Sequence, residues 1–572
     1  MKTLLLKIVG ILSLILIVAG CQKYDNLNPN VPGEDKTMPP QYTLNRLLYE
    51  VYNGGGVTDG LANNFPETPF SDPMMKWNQF LVSNDIYYGG YNAYFWSNTA
   101  PNSSMLRNVS LLEKNAAKSF GVKLNPFSPV VKFLKAYTYI WYSQRVGDIP
   151  MTEAGQGIAN LTPKFDSQHD VYKRSLELLD SANVEIRQIT TDPVLSVNAM
   201  SGDIYYGNSL AKWQKLINTY TLRVLIGLSK KADAADAADF NIKTRFNNII
   251  SSPATYPIMT SNSDNLVFAY NATYNKYPLG STSYYNDRTN ISKTLINLLN
   301  DTAAATGTRD PRVFVFATPA GAQIKNGKKV NDFTAYQGAD NGQDFTQLAI
   351  GKNALAYSNI NYIRYYNAGN TGPTNASGLA SNDPKALGDE TKGYVMIGYA
   401  EMCFNIAEAY NRGWITGSTD VLANQWYTNG IKASMAMYNI ADNSILTISD
   451  VTNKVLGTVK VGTDVQTMAN YYAQAGIAYK GNNVNGLQQI LSQKYIAFWQ
   501  NSGFEAFFNW RRTGYPSTFI TSGSGINASG IIPRRFQYPS NEAAYNETNY
   551  NSAIQSQFGG QDDLNKDLWI VK

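Results

Sequence analysis

The 572-residue chain has one histidine and two cysteines, and only 16% of its residues are charged. A Ser-His-Asp or Cys-His catalytic arrangement would have to use His169, and a zinc site with several histidine ligands is impossible. Two cysteines, Cys21 and Cys403, do not form a disulfide framework. The low charge content, with no basic stripe, is not that of a nucleic-acid-binding protein.

The single histidine lies in PKFDSQHDVYKRSLELLD, residues 163–180. Ser167 and Asp170 have the spacing of a helix N-cap and its reciprocal partner three positions later. We therefore expect His169 on the surface of a first helical turn, without a catalytic role. Cys403 lies in an apolar helical pattern and is expected to be a small buried residue.

Long hydrophobic runs are also missing. After Lys2 and Lys7, the apolar stretch from Ile8 to Val18 is shorter than the roughly 20 residues that span a bilayer. This segment is typical of a secretory signal, because it has a positive start, a short apolar run and the small pair Ala19-Gly20. A transmembrane anchor is not expected.

The signal ends in VAGC, residues 18–21, which resembles a bacterial lipobox. In that motif the chain is cut before the cysteine and the thiol is acylated, with palmitate for example. We expect a lipoprotein signal peptide over 1–20, an anchor on Cys21, and a polar, Pro/Asn-rich tether over 21–40. Gln22 is not the Asp that would favour retention at the inner membrane. The alternative is an ordinary signal peptide with an incidental cysteine.

Paired helices dominate the pattern of the remaining chain. In SPVVKFLKAYTYIWYSQRVGDIP, Ser128 is a plausible N-cap and Pro129 a first helical residue. The apolar positions at helical spacing are Val130, Phe133, Leu134, Tyr137, Ile140 and Trp141. Small residues alternate with aromatics in YAEMCFNIAEAYNRGW, as in tetratricopeptide helix pairs, although no strict 34-residue period is visible.

Between about 233 and 390 the helical rhythm weakens, and fragments such as Val313 to Ala317 look like strands. We predict an all-α dominated body over 41–572, built of tetratricopeptide-like helix pairs, with a loop-rich ligand-binding subdomain over roughly 233–390. Irregular segments on a rigid scaffold are where binding residues are expected.

Aromatic residues are abundant, with 39 Tyr, 23 Phe and 9 Trp. The stretch SNDIYYGGYNAYFWSNTAPN, residues 83–102, sets aromatics among Gly, Asn and Ser. A pyranose has an apolar face that stacks on aromatic rings and a hydroxyl rim that hydrogen-bonds to amides and carboxylates. We predict Tyr91, Tyr94 and Trp96 as stacking residues, with Asn84 and Asp85 as polar contacts.

Two further aromatic clusters follow. The stretch STSYYNDRTN offers Tyr284 and Tyr285 as further ligand contacts, and YSNINYIRYYN, residues 357–367, offers more tyrosines. The alternative for all of them is a role in the core, and at least half of the first cluster is expected to be buried. The pairs Arg511-Arg512 and Arg534-Arg535 are expected to bind nearby acids such as Glu505 and to fix the C-terminal loops. No metal-ligand spacing is present, and no cofactor is expected.

Several segments together carry a resemblance to a family. They are VGDIPMTEA, PKFDSQHDVY, DIYYGNSLAKWQKLINTYTLRVLIGLSK, RDPRVFVFA, AEMCFNIAEAYNRGW, QKYIAFWQNSGFEAFFNWRRTGYP and IPRRFQYPSNEAAYN. In this order, behind a lipobox, the chain resembles the SusD/RagB-type outer-membrane lipoproteins.

The resemblance implies four tetratricopeptide-like helix pairs that support a loop-rich ligand face. It also implies a lipid-anchored protein of the outer membrane, facing outward, that captures oligosaccharides for a SusC-like TonB-dependent transporter and is not an enzyme. One departure is that QKYDN, after Cys21, has a single acid, so the surface-export signal is weak. Capture of peptides or glycopeptides is an alternative, and a lipid-anchored glycoside hydrolase is a further one, because carboxylate catalysis needs no histidine.

Overall fold

The computed structural model describes residues 38–53, 72–83, 103–156, 159–269, 289–301, 307–361, 393–450, 454–520 and 531–572. The helices of the first half are α1 (Pro40–Asn53), α2 (Asp72–Trp77), α3 (Ser103–Phe120), α4 (Ser128–Val146), α5 (Gln168–Thr191), α6 (Leu210–Gly227) and α7 (Ile242–Ser251). The later helices are α8 (Lys293–Leu299), α9 (Val313–Phe316), α10 (Gly321–Lys325), α11 (Phe345–Asn353), α12 (Tyr399–Asn411), α13 (Asp420–Ala436), α14 (Met468–Ala473), α15 (Val484–Ala497), α16 (Glu505–Thr513), α17 (Ser540–Tyr545) and α18 (Glu547–Phe558). A short 3-10 helix, Trp569–Val571, lies near the end of the chain.

Long helices pack on their neighbours, α4 on α5, α5 on α6, and α12 on both α13 and α15. The apolar stripe predicted for α4 is buried along its whole length, from Val130 to Trp141, and belongs to one large hydrophobic cluster. Gly413 ends the α12 turn at a φ of 69°, in the left-handed region that suits glycine. The predicted α-dominated body of helix pairs is confirmed.

The start of α4 differs by one residue from the prediction. Ser128 is the first helical residue and Phe127 stands at the N-cap. The Ser128 hydroxyl donates to Glu185 Oε2 at 2.9 Å and so ties α4 to α5. The predicted cap of α5 is confirmed: Asp170 N donates to Ser167 Oγ at 3.1 Å, and that hydroxyl donates to Asp170 Oδ2 at 2.8 Å.

The strand predicted for Val313 to Ala317 is wrong. Val313–Phe316 forms the single helical turn α9, and all four side chains are buried. A short, fully buried apolar run has no period that separates a strand from a helix, so its sequence was ambiguous. The turn is set by Asp310, whose Oδ1 accepts from Arg312 N at 2.9 Å.

The described strands pair in twos, and each pair is antiparallel. They are β1 (Leu81–Ser83) with β3 (Thr289–Ile291), β2 (Leu266–Phe268) with β4 (Tyr394–Ile397), and β5 (Ile445–Ser449) with β6 (Val455–Lys460). The first two pairs join parts of the chain that are far apart in sequence. They position the candidate site.

Candidate functional site

The residues predicted to bind ligand lie outside the described ranges, as does the predicted anchor. They are Asn84, Asp85, Tyr91, Tyr94, Trp96, Tyr284 and Tyr285, together with Cys21. The division of the chain into signal, tether and loop-rich insertion also remains a prediction. The structure does describe the residues that flank the two ligand segments.

The two predicted ligand segments are anchored on the same strand pair. Ser83, the last described residue before Asn84, is the register partner of Thr289, the first described residue after Tyr285. Facing Cα atoms of an antiparallel pair are about 4.5 to 5.5 Å apart. One end of the β1–β3 pair therefore places the described flank of residues 84–102 next to the described flank of residues 270–288.

The β2–β4 strand pair brings together the flanks of two segments in the same way. Phe268, just before residues 270–288, pairs with Tyr394, just after residues 362–392. The ring of Tyr52, at the end of α1, stacks on Phe268 with centroids 3.6 Å apart and planes within 2°. The Tyr52 and Tyr394 rings are 6.0 Å apart. Three aromatic residues thus hold the flanks of three segments together.

The two strand pairs are tied to each other through Gly503. Its N–H donates to Tyr394 Oη at 2.7 Å, and its carbonyl accepts from Asn78 Nδ2 at 2.8 Å. Next to Asn78, Gln79 Nε2 donates to the Ile520 carbonyl at 2.6 Å. This last contact fixes the flank of residues 521–530.

We call the flanking residues the loop base. They are Tyr52, Ser83, Phe268, Thr289, Tyr394 and Ile520. Asn78 and Gln79, which connect them, are fully buried, and their hydrogen bonds are made away from water. Buried, paired polar groups of this kind define one geometry, because an unpaired partner would lose the full solvation of its polar atoms.

The arginines near the C-terminus serve structure, as predicted, but their main partner is not Glu505. Arg512 makes two contacts with Glu408, one of them 2.9 Å from Nη2 to Oε2. Arg511 donates to the carbonyls of Gln144 and Arg534, at 2.8 and 3.0 Å. Arg534 pairs with Asp567 at 2.7 Å, and Arg535 pairs with Asp562. Glu505 instead accepts from Gln144 Nε2 at 3.2 Å.

At the centre of this network, burial and neighbouring charges shift the pKa values of Glu408 and Lys494. Burial alone would raise the pKa of Glu408, but Arg512 and Arg412 outweigh it and hold that pKa well below its usual range. Burial lowers the pKa of Lys494 to about 8; Arg512 acts in the same direction and Glu408 opposes it. Glu408 and Lys494 are almost fully enclosed. The network therefore holds the helices in place, and the Glu408 carboxylate is enclosed with its arginine partners.

The only histidine lies in the first turn of α5, as predicted, and 28% of its side chain is exposed there. Its ring packs edge-on against Phe240 and Trp569, with centroids 5.0 and 5.4 Å away. Nδ1 lies 2.9 Å from Asp170 Oδ1, and Nε2 lies 3.2 Å from Asp239 Oδ1. Both ring nitrogens of His169 thus contact carboxylates of the scaffold, as a structural residue would.

The remaining cysteine and the acidic residues of the described ranges show no catalytic or metal-binding arrangement. Cys403 is fully buried, as predicted. Among the described residues, no three His, Cys, Asp or Glu side chains are grouped so that they could hold a metal ion. In the same ranges, no helix is long and apolar enough to cross a membrane.

The structure adds a groove that the sequence did not indicate. It has a volume of about 570 Å³ and lies among α3, α4, α5 and the chain around Met151. Its lining residues are Glu113, Lys132, Lys135, Tyr139, Met151, Thr152, Asp166, Asp170, Lys173, Arg174, Glu177 and Leu178. The one sequence signal for this groove is the spacing of Lys132, Lys135 and Tyr139 along one side of α4. Charged residues at such spacing are also typical of an ordinary solvated helix face.

Comparisons with known proteins agree with this architecture. A SusD homologue from Bacteroides fragilis is 25% identical, with a TM-score of 0.72 over 93% of this chain and 100% of its own. A second homologue from the same species is 24% identical, with a TM-score of 0.69 over 94% of this chain and 99% of its own. A chitin-binding SusD homologue from Flavobacterium johnsoniae is 19% identical, with a TM-score of 0.62 over 93% of this chain and 98% of its own. The last two show the fold alone.

A search of curated proteins gave no match. The SusD-like family model, described as starch-binding and associating with the outer membrane, matches residues 36–539. That match covers most of the chain, from the end of the predicted tether to the start of α17. The chain therefore belongs to the SusD-like family of outer-membrane-associated proteins.

Proposed function

We propose that this protein captures neutral oligosaccharides at the outer membrane, using the segments that leave the loop base, and does not change them chemically. The observation that carries the proposal is the pairing of Ser83 with Thr289, which brings the flanks of two aromatic segments together. A long oligosaccharide needs several platforms close to one another, and two separate parts of the sequence supply them here.

The reach of the chain is short enough for these platforms to act together. Asn84 directly follows Ser83, and Tyr285 precedes Thr289 by four residues, which span at most about 14 Å when extended. In this proposal Tyr91, Tyr94, Trp96, Tyr284 and Tyr285 stack on sugar rings, and Asn84 and Asp85 bind hydroxyls. Each stacking contact contributes on the order of 1 kcal/mol, so dissociation constants between about 1 μM and 1 mM follow.

The ligand class is supported by the family and by one relative. The family is described as starch-binding, and the Flavobacterium johnsoniae homologue as chitin-binding. Starch and chitin are both neutral chains of pyranose rings. Neutral hexasaccharides of these two kinds are therefore suitable probes.

The proposal also includes a lipid anchor for the protein and delivery of the sugar to a transporter. An acylated Cys21 would hold the body at the outer membrane, facing outward, while residues 22–40 act as a tether. Import across that membrane needs a pore, and we propose that a SusC-like TonB-dependent transporter supplies it, with the ligand held between the two proteins. Purification from native membranes in mild detergent should recover both proteins together. Recovery of a free monomer alone would contradict the partnership.

Calorimetry of the full chain with maltohexaose and chitohexaose, followed by mass spectrometry of the recovered sugar, tests the capture function. We expect binding of at least one probe and its return intact. Cleavage that disappears on replacing one acidic residue would indicate a glycoside hydrolase. Binding of peptides or glycopeptides, with no binding of the neutral sugars, would indicate the alternative capture class.

A further inference from the structure

The groove on the helical scaffold is built from three helices and one connecting segment. Glu113 belongs to α3, Lys132, Lys135 and Tyr139 to α4, and Lys173 to α5. None of its lining residues belongs to the loop base. Its volume of about 570 Å³ lies within the roughly 300 to 1,000 Å³ of small-molecule sites.

Charges of opposite sign balance across the groove. Four acids and four bases line it: Glu113, Asp166, Asp170 and Glu177 with Lys132, Lys135, Lys173 and Arg174. A groove with no net charge has no electrostatic preference for an anionic or a cationic ligand. Its chemistry suits a neutral ligand that both donates and accepts hydrogen bonds.

The charged groups are held in place by one another. Lys135 Nζ lies 2.6 Å from Glu113 Oε2 and joins α4 to α3, and Lys132 Nζ lies 2.6 Å from Glu185 Oε1 and joins α4 to α5. Arg174 pairs with Glu177 at 3.1 Å along α5. Each lysine has three donors and the arginine has five, so donors remain beyond those that the ion pairs use.

Tyr139 adds an aromatic group with an uncommitted hydroxyl. Its ring packs partly against the hydrophobic core, and its hydroxyl makes no hydrogen bond with any residue that the structure describes. Burial raises the pKa of this hydroxyl above its ordinary value, which already lies well above neutral pH, and the group is therefore protonated and able to donate. The charges of Arg174 and Asp166 both act on this hydroxyl, with opposite effects on its pKa.

The groove lacks the anchors that a peptide or protein partner would use. Apart from Tyr139, its apolar lining is Met151 and Leu178, which are only 8% and 5% exposed. Protein interfaces depend on aromatic or aliphatic side chains that fill deep apolar pockets. Dense, fixed donors and acceptors without such a pocket instead match the hydroxyl rim of a sugar.

We infer that the groove among α3, α4 and α5 is a second binding site for a neutral oligosaccharide, separate from the loop base. This inference rests on the proposed glycan capture. The helical site would hold another part of the same polysaccharide, or a second chain, and would raise the overall affinity by engaging two sites at once.

The test uses the full chain in a background that removes the main site, so that the helical site is measured alone. In this background all five proposed stacking residues are changed to alanine: Tyr91, Tyr94, Trp96, Tyr284 and Tyr285. Maltohexaose and chitohexaose are titrated by calorimetry, and Tyr139→Phe and Arg174→Gln are added in turn. Tyr139→Phe keeps the ring, so folding is preserved. Tyr545→Phe and Arg187→Gln, which are exposed and outside the groove, are the matched controls.

We expect residual binding near one site per chain, weakened about three- to tenfold by each groove variant and unchanged by the controls. Residual binding that both groove variants leave unchanged would overturn the inference. Wild-type binding that is absent from the background without the five stacking residues would overturn it too, while the capture function would stand. If the wild type binds neither sugar, the capture function fails and the inference falls with it. Groove-dependent binding of a Lys-Glu repeat peptide, without sugar binding, would also overturn it.

Discussion

Ser83 and Thr289 face each other at the end of the β1–β3 pair, and this contact joins two aromatic segments that are far apart in the sequence. Phe268 and Tyr394 also face each other, and they flank residues 270–288 and 362–392. The scaffold therefore fixes the positions of the described residues that flank these segments.

Membrane attachment is predicted to depend on one thiol. Cys21→Ala should leave a folded protein that no longer sediments with membranes, because it removes the acyl chains and nothing from the helical body. Membrane fractionation with a melting curve on each fraction measures this. A variant that stays with the membranes as the parent does would show that Cys21 is not an anchor.

Stability in acid is predicted to depend on Glu408. The pKa of Glu408 in the folded protein lies below its unfolded value of about 4.3. Its contribution to the free energy of unfolding is therefore fully present above that pH and is lost as the pH falls further. Glu408→Gln should lower the free energy of unfolding at pH 7 by about 3 to 5 kcal/mol, because it leaves Arg512 and Arg412 without their counter-charge. Urea unfolding at pH 7 and pH 3 should show the difference from wild type shrink in acid.

The control for Glu408 is Asp233→Asn, since Asp233 is 81% exposed and pairs with Lys243 at the surface. That change should alter stability by no more than about 1 kcal/mol at either pH. An equal effect of the two variants at pH 7 would mean that the buried network does not stabilise the helices as described.

Lys494 should also make stability rise with pH, but in an alkaline window. Its folded pKa of about 8 is below its unfolded value of about 10.4, so the unfolded chain binds the extra proton between these values. The free energy of unfolding of the wild type should therefore increase as the pH rises from about 8 to 10. Lys494→Met should lack that increase. Urea midpoints at both pH values, with the exposed Lys212→Met as control, measure it. The same rise in all three proteins would contradict the buried position of Lys494.

His169 is predicted to be dispensable for binding. Its ring nitrogens contact Asp170 and Asp239, so His169→Ala should change packing around Trp569 and leave sugar affinity unaltered. Calorimetry with the same hexasaccharides tests it. A large loss of affinity in a folded variant would require a direct role for the imidazole.

Features with a local pattern could be predicted from the sequence. The stripe from Val130 to Trp141, the Ser167 cap and the buried Cys403 depend on residues a few positions apart, and the structure confirms each. The single turn α9 was mistaken for a strand because a short buried run carries no period.

Features that depend on tertiary contacts could not be predicted. The sequence suggested Glu505 as the partner of the arginine pair, but Glu408 is brought to Arg512 only when α12 packs beside α15 and α16. The pairing of Ser83 with Thr289 has no local signal either. The groove has no local signal either, because its charges are spread over three helices and each helix face resembles an ordinary solvated one.

The most direct measurement of the central claim is the sugar affinity of Trp96→Ala and Tyr284→Ala, taken with their melting temperatures. Each variant should bind about two- to tenfold more weakly, because each removes one stacking platform, and neither should shift the melting temperature appreciably. Tyr545→Ala, an exposed tyrosine at 78% exposure, should behave as wild type in both assays. Folded variants that bind a confirmed ligand normally, or variants that unfold, would contradict a ligand site on the segments that leave the loop base.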